Sequence, residues 1–373
     1  MSLSTSVVLL IAGLAQALSL AWPFEGAFKG ASQGWLQCLS LAIAAFHLDR
    51  SQTGKLAFAK TWVFAFAWLA GSIWWLFISM NRYGGLSAPV AGAAVGLMAA
   101  GLALFYAFAA TVYHRICRAG VGVLARASAF AATWTLAEMV RGTLWTGFPW
   151  GAVGYAHVDS LLQPWAAWGG VYGLCALAAF FAMLLAAKRV DGRPTSRATH
   201  VGVAFLMAAL SYTWFTSPTR SANEPQPSNT PLSVTLLQGN IPQDLKFGEG
   251  INRALRDYRE ALLSSKSDLT VTPETAIPLI QQQMPERYWQ ALETHFAHGK
   301  QAALIGLPLA TRSEHGQLQY SNSAVALIPQ ATPASTAVYQ YDKHHLVPFG
   351  EFVPPFFQWF VRMMNIPLGD FTR

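Results

Sequence analysis

The residues best placed to do chemistry lie late in the chain. Glu274 stands in TPETAIP (272–278), directly after a short apolar run and between Pro273 and Pro278. A carboxylate at the end of a buried strand is partly desolvated, which raises its pKa toward the range of a general base. Lys343 follows another strand-like run in YQYDKHHLVPFGEF (339–352), and an ammonium beside such a carboxylate would stabilise a developing oxyanion. The plain alternative for both is a solvated turn charge. The three Cys, at 38, 117 and 175, each sit in or beside an apolar stretch, so they read as buried thiols and not as a redox or zinc framework. His344 and His345 are adjacent on an extended segment and point to opposite faces, so no shared metal is expected.

These residues need elements to hold them. Strong apolar runs at Leu232–Leu237 and Asp268–Thr272 predict buried strands, and further strands are expected at Ala302–Gly306, Asn322–Ile328 and Ala337–Tyr341. Ile251, Leu255, Tyr258 and Leu262 recur at helical spacing and predict an amphipathic helix over 250–265, with a second near 285–298. That alternation gives an α/β domain with helices covering a mixed sheet. After Pro354 and Pro355, Phe356, Phe360, Met363 and Met364 fall on one helical face, either packed on the domain core or lying as an arm on a membrane with Trp359 at the interface.

The first half of the chain is of another kind. Hydrophobic residues make up 53% of the sequence and charged residues 12%, where a soluble domain carries about 25% charged. Disorder and a disulfide-stapled secreted scaffold are both excluded. Seven membrane spans are expected, at about 6–22, 33–48, 56–80, 88–114, 121–140, 164–187 and 199–216. Val7–Leu20 lacks the basic flank of a cleaved signal peptide. Pro218–Pro231 is polar and proline-rich, and it divides a transmembrane domain (1–217) from the α/β domain (232–373).

Charge placement gives these spans a direction. The net +7 is concentrated in residues 1–217, which hold 13 Lys and Arg against 5 Asp and Glu, while residues 218–373 hold 12 against 13. Such a distribution fits membrane topology better than a nucleic-acid face. Loops after even-numbered spans, with the first turns of the spans that follow them, carry ten basic residues (Arg50, Lys55, Lys60, Arg115, Arg118, Arg126, Lys188, Arg189, Arg193, Arg197), against four (Lys29, Arg82, Arg141, Arg220) after odd-numbered ones. The amino terminus is then cytoplasmic and residue 218 onward lies outside. Glu138 and Arg141, at the outer end of the fifth span, are spaced to pair with each other, or else to grip a lipid headgroup. Trp145, Phe148 and Trp150 form either an aromatic belt or a gate that admits lipid.

Five runs occur in order behind this helical half: QGNIPQDLKF (238–247), TPETAIP (272–278), GLPLA (306–310), YSNSAVAL (320–327) and YDKHHLVPFGEFVPP (341–355). Together with RGTLWTGFPWGAVGYAH (141–157) the set resembles the apolipoprotein N-acyltransferase family, bacterial inner-membrane enzymes with a periplasmic nitrilase-like domain. The resemblance implies a polytopic α-helical membrane domain followed by an α/β nitrilase-like domain of the αββα sandwich type. It implies Glu274 as general base, Lys343 as its lysine and Glu351 as a supporting glutamate, and it suggests Phe247, Trp145 and Trp150 as substrate-binding residues; Phe247 stands where the family often has Trp. The family nucleophile is a Cys in a later Cys-Tyr-Glu motif, which these 373 residues do not contain. The expectation is therefore a fragment, incomplete at its carboxy end and inactive by itself. The implied reaction moves an acyl chain from phospholipid to an enzyme thioester, and then to the α-amine of a diacylglyceryl apolipoprotein. It needs no cofactor, no metal and no nucleic acid. Two other classes share some of these features: a membrane-tethered nitrilase or amidase acting on small C–N substrates, and a non-enzymatic membrane protein with an outer binding module. A transporter is disfavoured, because Glu138 is the only carboxylate well inside a span.

Overall fold

The computed structural model describes residues 1–117, 121–187, 189–190, 193–194, 231–242, 248, 250–312, 316–329, 339–347 and 351. The chain divides into two compact units, Met1–Asn223 and Glu224–Arg373. The expected span at 199–216, Phe247 and the apolar stretch 353–366 lie outside the described residues.

The first unit is helical: α1 (Leu3–Leu18), α2 (Gly34–Asp49), α3 (Gly54–Ser72), the short α4 (Trp75–Ile78) running into a π-turn at Ser79–Tyr83, α5 (Ala88–Ile116), α6 (Val123–Thr143) and α7 (Ala166–Ala186). Ser2 and Thr53 cap α1 and α3 by accepting the backbone N–H groups of Thr5 and Leu56. Ala88–Ile116 and Gln163–Ala186 are long and apolar enough to cross a membrane, and α3 with its continuation to Tyr83 forms a pair bent by 50°. Between apolar helices in lipid there is little hydrophobic driving force, so close packing through small residues carries the association. The buried face of α5 shows this, with Ala91, Val95, Ala99, Ala103, Tyr106, Ala107, Ala110 and Tyr113 at helical spacing. A cluster of Phe64, Trp68, Tyr106, Phe130 and Trp134 fills the middle of the bundle. A two-residue antiparallel pair, β1 (Arg189–Val190) and β2 (Arg193–Pro194), follows α7.

The second unit holds a mixed five-stranded sheet of order β3-β4-β5-β6-β7. β3 (Val234–Leu236), α8 (Gly250–Ser264), β4 (Leu269–Val271), α9 (Tyr288–His298) and β5 (Ala302–Arg312) make two successive crossovers, with β3, β4 and β5 parallel. β6 (Leu318–Leu327) and β7 (Gln340–Asp342) then add antiparallel. Leu255 and Leu262 of α8 and Leu292 and Phe296 of α9 pack with Ile305, Leu307, Val325 and Leu327 of the sheet. Each such side chain, fully buried, contributes about 1.5–3 kcal/mol of transfer free energy. The Tyr288 hydroxyl donates to the Leu255 carbonyl at 2.7 Å and ties the two helices together.

Two expectations about the strands change. The run 232–237 is not a buried strand: Val234 and Leu236 are exposed, because β3 ends the sheet order and the pleat turns both to a face that no described element covers. The strand expected at 302–306 continues to Arg312, since its long antiparallel register with β6 supplies partners through Arg312↔Leu318.

Candidate active site

The turn that carries Glu274 is stitched to β5. Thr272 N–H donates to the Leu304 carbonyl at 2.9 Å and Ile277 N–H to the Gly306 carbonyl at 3.2 Å. Gly306 N–H returns a bond to Thr272 Oγ1 at 2.9 Å. Thr275 takes the left-handed conformation, with φ of 52°, which closes the turn tightly after Glu274 at a cost in strain. The approach is close enough that a Cβ on Gly306 would overlap the Pro273 carbonyl oxygen and press on the Glu274 Cα at 3.0 Å.

Lys343 reaches the same place from the far end of the sheet. The β6–β7 register pairs Ser323 with Asp342, and Lys343 N–H donates to the Asn322 carbonyl at 2.9 Å. Its Nζ then donates to Glu274 Oε1 at 2.9 Å and to Glu351 Oε1 at 3.0 Å. Glu351 is anchored in turn, with Oε2 accepting the Val347 N–H at 2.8 Å. Asn322 Nδ2 donates to Glu351 Oε1 at 2.8 Å and also to Glu274 Oε1.

Burial orders these groups. The Glu351 side chain is 10% exposed, Lys343 27% and Glu274 61%. The sequence expectation of a desolvated Glu274 is therefore corrected: it lies on an open turn past the end of β4, and Glu351 is the sheltered carboxylate. Burial alone would lower the pKa of the Lys343 ammonium, but its hydrogen bonds to both carboxylates and their charges outweigh it and hold the group above the usual lysine range. Two carboxylates facing one ammonium leave a local excess of negative charge, and an ammonium has three N–H donors. Among the described residues, two of those go to Glu274 and Glu351.

Thus Glu274, Lys343 and Glu351, far apart in sequence, come within hydrogen-bonding distance. Asn322 completes the set and was not among the residues expected. Its signal in the sequence is a carboxamide in the apolar run YSNSAVAL, at a position that is 6% exposed, where an amide needs partners.

The other residues singled out lie in the first unit. Trp145 is 88% exposed, and Trp150 meets Trp75 and Phe148 edge to face at 5.1 and 5.0 Å. Glu138 and Arg141 do not form the direct pair expected from their spacing, because the Tyr106 hydroxyl stands between them. Arg141 Nε donates to it at 2.9 Å and it donates to Glu138 Oε1 at 3.4 Å. Cys175 is buried and Cys38 and Cys117 are half-buried, all three as free thiols.

Comparison with known proteins bears on this arrangement. Residues 12–184 match the family model described as the apolipoprotein N-acyltransferase N-terminal domain. The chain is 48% identical over 378 residues to a protein of Verminephrobacter eiseniae (strain EF01-2), covering 98% of this chain and 67% of the relative. It is 42% identical over 342 residues to one of Ralstonia nicotianae, covering 91% and 62%, and 37% identical over 391 residues to one of Bordetella bronchiseptica, covering 98% and 70%. All three relatives are named apolipoprotein N-acyltransferase. The chain thus spans about two thirds of the length of the curated relatives it matches.

Proposed function

Because the chain belongs to the apolipoprotein N-acyltransferase family, we propose that its second unit is a nitrilase-like domain on the periplasmic side of the bacterial inner membrane, reached through a multi-pass helical domain. Its reaction is acyl transfer from phospholipid to the amino-terminal Cys of diacylglyceryl apolipoprotein. The observation that carries this reading is the single cluster of Glu274, Lys343, Glu351 and Asn322.

The geometry supports the following roles. Glu274, an exposed carboxylate on the turn after β4, takes the proton of an attacking thiol. The thiolate adds to the phospholipid ester carbonyl, and the Lys343 ammonium stabilises the oxyanion. As the C–O bond breaks, Glu274 returns the proton to the leaving lysophospholipid oxygen. The lipoprotein α-amine then attacks the thioester, gives its proton to Glu274, and the thiol leaves. Glu351 and Asn322 hold Lys343 and Glu274 in register throughout. The thiol is not among residues 224–373, which hold no Cys.

The test uses the full-length enzyme and a phospholipid with a labelled acyl chain. Glu274→Gln and Lys343→Ala should each slow formation of the labelled acyl-enzyme by about 10²-fold or more. Wild-type rates in either variant would reject the assignment.

A further inference from the structure

The segment RGTLWTGFPWGAVGYAH (141–157) takes no part in the cluster described above, yet it is the most tightly specified stretch of the first unit. Three residues of its loop have positive φ: Trp145 at 52°, Gly147 at 78° and Gly151 at 77°. A Cβ on Gly147 would overlap the Gly142 carbonyl oxygen, so the chain turns back on itself there only because that residue is glycine. A large indole in the left-handed region is strained, and the Trp145 side chain gains no burial in return, being 88% exposed.

What holds the loop is charge buried beneath it. Arg141 is 2% exposed and Glu138 is 1% exposed. A single nitrogen of the guanidinium, Nη1, donates to two loop carbonyls, Phe148 at 2.6 Å and Trp150 at 2.8 Å. Glu138 Oε1 accepts the Val153 N–H at 3.0 Å. Tyr106 of α5 links the two side chains, and the Phe148 N–H closes the ring by donating to the Arg141 carbonyl at 2.8 Å. Every charge-assisted bond from this pair to the loop lands on backbone. The pair therefore recognises the path of the chain and not its side chains, and at 2% exposure Arg141 cannot reach a lipid headgroup.

We propose that Glu138 and Arg141 form a buried clamp on the 144–153 loop, with Arg141 as the positioning residue that keeps the indoles of Trp145 and Trp150 displayed outward. Without it the left-handed Trp145 relaxes and the display is lost, while the helices stay packed through their small residues.

Hydrogen exchange on the full-length protein in lipid nanodiscs tests this without substrate, so its outcome is independent of the acyl-transfer reading. Arg141→Gln should speed exchange in the peptide covering 147–153 by about tenfold or more, the loss of at least one buried charge-assisted bond. Peptides of α3 and α5 away from Tyr106 should exchange as in the wild type. Arg141→Lys, a point charge that cannot bridge both carbonyls while holding Tyr106, should give an intermediate rate, and Gly147→Ala should loosen the same peptide with both charges intact. A second readout rests on the acyl-transfer reading: Arg141→Lys should raise the KM for a phospholipid donor several-fold with kcat retained. Unchanged loop protection in Arg141→Gln and Arg141→Lys would overturn the clamp. So would faster exchange spread evenly over every helix in both, which marks a residue of general stability. An unchanged KM would overturn the role in presenting the indoles.

Discussion

At the residue scale the weight falls on Asn322. It is a buried amide with both amide hydrogens committed to carboxylates, Glu274 and Glu351. Removing it leaves Glu351 short of one bond in a sheltered position, where an unsatisfied group costs about 1–3 kcal/mol. Asn322→Ala should therefore lower thermal stability by that amount and also slow acyl-enzyme formation; denaturation and the labelled-lipid assay on one preparation measure both. Lys343 makes a separate prediction about pH. Its folded pKa is raised, so its contribution to stability is complete below the unfolded lysine value of about 10.4 and disappears as pH rises through the higher folded value. The gap in melting temperature between wild type and Lys343→Met should hold steady at neutral pH and close in strong alkali. A gap that persists at the most alkaline pH tested would mean that the two carboxylates do not hold the ammonium.

Among the elements, β5 sets the position of the base. Its backbone at 304–306 receives and donates the bonds that shape the 272–277 turn, and Gly306 lets that turn approach. Gly306→Ala inserts a methyl group against backbone that cannot swing aside. Overpacking of this kind costs about 1–3 kcal/mol, and the turn should move away from β6, lengthening the Lys343 to Glu274 contact. The expected result is a larger loss of acyl-enzyme formation than of melting temperature; a variant with full activity would show that the turn tolerates the shift. The strands that supply the cluster differ in kind. β4 and β5 run parallel and are buried by α8 and α9, whereas β6 and β7 reach the same edge through antiparallel register, which is how residues 274, 322 and 343 converge.

For the whole molecule the question is which side of the membrane receives the second unit. The ten-to-four basic bias among the loops and their flanking turns predicts Lys188–Arg197 in the cytoplasm and residues beyond Pro218 outside. Alkaline phosphatase fused after Pro218 should be active, and the same reporter fused between Lys188 and Arg197 inactive. Swapped activities would reverse the orientation.

What the sequence determined by itself is the part written in local physics. Runs of apolar residues marked the helices of the first half, because length and hydropathy are properties of a segment alone; six of the seven expected spans fall on described helices, of which two, or three with the bent pair from Gly54 to Tyr83, are long and apolar enough to cross a membrane. The alternation of strands with two helices was legible for the same reason, whereas Glu274 and Lys343 were singled out by the ordered motifs of the family resemblance and not by their local spacing. Tertiary structure decided how groups distant in sequence meet. No spacing rule brings Asn322 to Glu274 and Glu351, because the register of β6 against β5 and β7 does so. Spacing on α6 suggested that Glu138 and Arg141 would pair, but a hydroxyl arriving from α5 separates them and turns both toward the loop. The exposure of Glu274 and the shelter of Glu351 were likewise set by which element covers each. Solvent access is a property of the packed molecule and has no local code.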